Sequence, residues 1–90
     1  MYIHVGDNVI LKTGEIIGFL DVETLKKSRS NLRILNMLKN QGPEIKTVII
    51  TERDGETKEI FSIISTRTLR NRIKKQKTIN INKRKELENE

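Results

Sequence analysis

The 90 residues contain no cysteine and no tryptophan, one proline and one histidine, and Tyr2, Phe19 and Phe61 are the only aromatic rings. Without thiols, the chain has no disulfides, thiolate metal sites or cysteine nucleophiles, which fits a reducing compartment. A lone histidine, His4, has no second imidazole with which to form a metal pair or a nucleophile-base couple. The five glycines are scattered one per turn or strand, so no glycine-rich loop leads from a strand into a helix to cradle phosphate. No segment approaches the roughly 20 apolar residues of a membrane span, and the opening MYIHVGDN lacks the basic-then-apolar layout of a secretion signal. The expectation is a non-enzymatic, cytoplasmic protein with no membrane partner, no cofactor and no metal. Asp21 with Glu23, and Glu52, Asp54 and Glu56 around a turn, read as residues that solubilise loops.

Opposite charges are plentiful but unevenly spread. Residues 1–65 hold nine Lys/Arg and nine Asp/Glu, whereas residues 66–90 hold nine against three, which accounts for the whole formal charge of +6. A neutral body with a cationic end suits a polyanion, since clustered charge attracts phosphate over roughly a Debye length, about 8 Å at physiological salt. A run of like charge is often only a solvated surface. Here the imbalance is local, arginine is prominent, and acidic partners for i to i+4 pairing are missing between Thr66 and Ile79.

Periodicity divides the chain. Tyr2–Val5 alternates with Ile3 and Val5 on one face; Gly6-Asp7-Asn8 is a turn cluster; Val9–Lys12 resumes the strand, and Thr13-Gly14 breaks it. The apolar run within 15–21 suits a central strand packed closely at Gly18. Leu32, Ile34, Leu35, Met37 and Leu38 have helical spacing, with Ser28 or Ser30 as cap and Gly42-Pro43 as stop. TVIIT at 47–51, Asp54-Gly55 and EIFSII at 59–64 predict a hairpin with a type I′ turn. Ser65 or Thr66 then caps a short basic helix in which Leu69 and Ile73 form an apolar seam. The predicted fold is a small α+β domain at 1–76: antiparallel strand groups, one amphipathic helix and the basic helix. Residues 77–90 read as a basic flexible tail. So short a chain, with so few large apolar residues, buries little on its own, and self-association is expected.

MYIHVGDNVIL at the start, IIGFLDVET, KTVIIT and above all IISTRTLRNR at 63–72 resemble the Rem family of small bacterial regulators of extracellular matrix and biofilm genes, in particular its RemB-like branch. The more specific pieces are the opening tetrapeptide and the pattern made by Ser65, Thr68, Leu69 and Arg72. The resemblance implies a cytoplasmic, ring-like homo-oligomer that binds double-stranded DNA through a LytTR-like fold and regulates transcription. It also implies DNA-contacting arginines on the third strand and just before the fourth, and those positions here are Glu15, Pro43 and Glu44, with only Lys46 still basic. The candidate DNA-binding residues are therefore Lys12, Lys46, Arg67, Arg70, Arg72, Lys74 and Lys75. The missing arginines leave open a second expectation, an oligomeric protein-interaction scaffold that does not bind DNA.

Overall fold

The computed structural model describes residues 1–6, 8–28 and 31–75. The predicted tail at 77–90, Asp7 of the first turn and the candidate cap Ser30 lie outside the described residues.

The fold is α+β, with one two-stranded and one three-stranded antiparallel sheet. Strands β1 (Tyr2–Gly6) and β2 (Val9–Lys12) form the first hairpin, where Asn8 takes the left-handed backbone (φ 60) that asparagine tolerates better than most residues. A single 3-10 turn, Thr13–Glu15, leads into β3 (Ile16–Asp21). Helices α1 (Val22–Ser28) and α2 (Leu32–Lys39) follow, then β4 (Thr47–Arg53) and β5 (Glu56–Ser62). A last helix, α3, occupies 66–75.

The β4–β5 hairpin turns as its sequence predicts. Asp54 (φ 52) and Gly55 (φ 84) both take positive φ, as a type I′ turn requires. Its strands are longer at the turn end than predicted, and β5 stops at Ser62, so that Ile63 and Ile64 fall in a bend.

Three expectations need correction. The strand after Thr13-Gly14 is not central: β3 pairs with β4, and the order β3-β4-β5 leaves it at the edge of its sheet. Gly18 marks no close approach, since nothing lies within 4 Å of a Cβ built there. It follows a register shift at which Ile17 is extruded, 56% exposed. The extra residue of a β-bulge explains why the apolar run did not alternate. Finally, between β3 and β4 there are two helices where one was expected. Asp21 begins α1, its carboxylate accepting from the Thr24 N–H (3.3 Å) and hydroxyl (3.1 Å), so it caps a helix rather than merely solubilising a loop. Ser28 ends α1, donating to the Leu25 carbonyl, and does not cap α2. Asn31 stands at the start of α2 without a side-chain cap bond.

Alternation along β4 places Val48 and Ile49 on opposite faces of the three-stranded sheet, and each anchors its own core. On the Val48 face, α1 and α2 contribute Val22, Leu25, Ile34 and Leu38. On the Ile49 face, Ile3 and Val5 of β1 meet Leu69 of α3, with Ile73 packed alongside. The result is three layers, with the sheet between a helical pair and a mixed layer of hairpin plus basic helix.

Candidate nucleic-acid interface

Helix α3 is set in place by its first turn. The Ser65 hydroxyl oxygen accepts from the Thr68 N–H (3.2 Å) and donates to the Thr68 hydroxyl (2.8 Å), while the Leu69 N–H reaches the Ser65 carbonyl (3.1 Å). Ser65 is thus the cap, the first of the two candidates the sequence offered. The other, Thr66, is buried and does different work. Its hydroxyl lies 2.8 Å from that of Thr47 and 3.4 Å from an Asp21 oxygen, while the Thr47 hydroxyl lies 2.8 Å from the Ile64 carbonyl. Two hydroxyl protons serve three contacts. The short distances assign the Thr47 proton to the Ile64 carbonyl and that of Thr66 to Thr47, leaving Asp21 the long contact. This chain joins β3, β4 and α3 beneath the cationic surface.

Leu69 is fully buried and Ile73 half-buried, so the predicted seam faces the core. Helical geometry then turns Arg67, Asn71, Lys74 and Lys75 outward and puts Arg70 and Arg72 on the two flanks; all six are exposed. Arg72 is the cation with a partner: its guanidinium donates 2.7 Å to the backbone carbonyl of His4 on β1. The pattern of Ser65, Thr68, Leu69 and Arg72 is therefore a fastening device, made of a cap, its reciprocal partner, a core anchor and a tie to β1.

Elsewhere two arginines meet carboxylates. Arg33 of α2 pairs with Glu59 of β5, and Arg53 lies 3.7 Å from Glu15. Among the described residues, no carboxylate pairs with Arg67, Arg70, Arg72, Lys74 or Lys75. Lys46 is exposed just before β4, where its backbone N–H donates to Ser62 and its carbonyl accepts from Val22. The next residue, Thr47, reaches Thr66 at the start of α3. Lys12, at the end of β2, is exposed and lies opposite Tyr2. Sequence reasoning missed the environment of Tyr2 and His4, which line a shallow cleft with Ile3, Arg72 and Lys75. The alternation that buries Ile3 and Val5 held the signal, because it turns Tyr2 and His4 to the other face.

Among the described residues, no three of His, Asp and Glu gather as metal ligands would, and no helix is long and apolar enough to cross a membrane. Comparison of the chain with family models, with curated proteins and with solved structures returns no match.

Proposed function

We propose that this chain is a non-enzymatic, oligomeric regulator of transcription that binds double-stranded DNA chiefly through its phosphate backbone, acting in the cytoplasm on extracellular matrix and biofilm genes. The observation that carries the binding is the outward surface of α3, whose arginines and lysines have no carboxylate partner among the described residues while Arg33 and Arg53 of the body do. Like charges left together on one short helix repel, and phosphates relieve that repulsion while releasing condensed counterions. The resemblance to the Rem family supplies the regulatory role and the ring-like self-assembly, which would multiply a weak cationic surface into avid binding. Backbone contacts set position rather than sequence, so target choice comes from DNA shape or from the spacing of copies.

Titration of the full chain against a duplex at stepwise salt tests the reading. Log affinity falls linearly with log salt, and Arg67→Gln or Lys74→Gln each lowers the slope by about 1. Salt-independent binding, or none at low salt, overturns it.

One observation favours a protein-interaction scaffold instead. On the far side of the sheet, an apolar groove between α1, α2 and the loop before β4 is lined by Val22, Leu35, Leu38 and Ile45, with Leu32 67% exposed at its edge. Deleting residues 74–90 separates the two readings. Loss of duplex binding with intact assembly by light scattering supports the regulator, whereas unchanged behaviour in a pull-down of a protein partner supports the scaffold.

A further inference from the structure

The cleft beside α3 joins elements far apart in sequence. Arg72 and Lys75 come from the helix, and Tyr2 and His4 from the outward face of β1. Antiparallel register brings in one more cation. Tyr2 lies opposite Lys12 and His4 opposite Ile10, and directly paired residues share a face, so Lys12 stands beside Tyr2. Three cations thus border one aromatic residue that is 61% exposed.

Arg72 differs from its neighbours in being held. One of its N–H groups is committed to the His4 carbonyl at 2.7 Å, while the guanidinium carries five donors in a fixed plane. An arginine already ordered in this way loses less side-chain freedom when it takes a phosphate than a free one would. Closing the open edge of β1 accounts for the Arg72 contact alone. It does not account for Lys12 and Lys75, which pair with no carboxylate among the described residues yet border the same aromatic.

We propose that the phosphate-binding surface continues from α3 across the outer face of the first hairpin. Lys12, Arg72 and Lys75 hold one stretch of duplex backbone there, and Tyr2 contacts the same stretch. The inference rests on the DNA-binding reading above and extends it to an aromatic residue. Arg72 presents its remaining fork to phosphate oxygens, the lysines act as point charges, and the Tyr2 hydroxyl adds a neutral donor of the kind common in backbone contacts.

The two kinds of residue leave different marks. Removing a lysine removes a released counterion and flattens the salt dependence, whereas removing a neutral contact weakens binding equally at every salt concentration. The experiment is a stepwise-salt titration of the full chain against duplex DNA. It compares Lys12→Gln, Lys75→Gln and Tyr2→Ala with Lys26→Gln, whose site lies on the groove side of the sheet. The expected result is a slope lower by about 1 for Lys12→Gln and for Lys75→Gln. Tyr2→Ala gives a several-fold loss of affinity at unchanged slope, and Lys26→Gln gives neither. Thermal melts check folding, and Tyr2→Phe, which keeps the ring, serves where Tyr2→Ala lowers the melting temperature. If Lys12→Gln and the Tyr2 variants keep wild-type affinity and slope while Arg67→Gln flattens the slope, the interface stops at α3 and this inference is overturned with the DNA reading intact. A wild-type chain that binds no duplex at low salt overturns the reading and the inference together.

Discussion

One face of the β3–β4–β5 sheet is closed by α1 and α2, which follow β3 directly; the other is closed by β1–β2 and α3, from opposite ends of the described chain. On the first face, contacts are made by neighbours in sequence, and Arg33 to Glu59 adds a tie at the rim. On the second, the ties run from Arg72 to His4 and from the Ser62 hydroxyl to the Val5 carbonyl, across most of the chain. The difference sets the proposed binding surface apart from the rest of the core. The face built from distant pieces carries the cations of α3, none of which pairs with a carboxylate among the described residues, so that surface exists only after the hairpin and α3 have met.

Cutting the anchor of each face gives the largest effect. Leu69→Ala removes a fully buried side chain and costs about 2–5 kcal/mol, and so does Leu38→Ala across the sheet. Denaturant melts measure both. The comparison lies in the second readout: below its own unfolding transition Leu38→Ala keeps the duplex affinity of the wild type, whereas Leu69→Ala loosens α3 and lowers it. Equal affinity in the two variants would break the proposed division of labour.

A smaller effect comes from the hydroxyl chain. Thr66→Val leaves the Thr47 hydroxyl oxygen without its donor and costs about 1 kcal/mol. Because Thr47 and Thr66 act on one another, the Thr47→Val/Thr66→Val pair costs less than the sum of the single changes, as a double-mutant cycle will measure. The smallest change in stability is expected from Arg72→Ala, which loses one exposed hydrogen bond and under about 1 kcal/mol. Its distinctive readout is local: hydrogen exchange quickens in β1, whose edge Arg72 covers, and stays unchanged in α2.

What the sequence revealed was mostly local. Asp54-Gly55 could only turn tightly between β-branched strands, Ile3 and Val5 alternated toward a core, and Ser65 stood where a cap was needed ahead of Leu69 and Ile73. The pairing of β3 with β4 was not legible, because a strand's partner is chosen by the whole fold and not by its own pattern. α1 was missed for a different reason. With Val22 and Leu25 as its buried positions, it offers too short a stripe to register as periodic, and without a recognised helix Asp21 could not be recognised as its cap. The candidate cations were legible as a group but not individually, since charge counting gives Arg72 and Arg67 the same weight while geometry commits one of them to a carbonyl.

The hairpin and α3 share a single cluster of side chains, and that has a consequence for how the protein is made. As the ribosome delivers the chain, the Val48 face can pack early, whereas Ile3, Val5 and Ile49 must wait uncovered until Leu69 has emerged. A product interrupted before that point keeps an oily surface and has no mounted basic helix. Transiently exposed apolar surface of that kind favours aggregation.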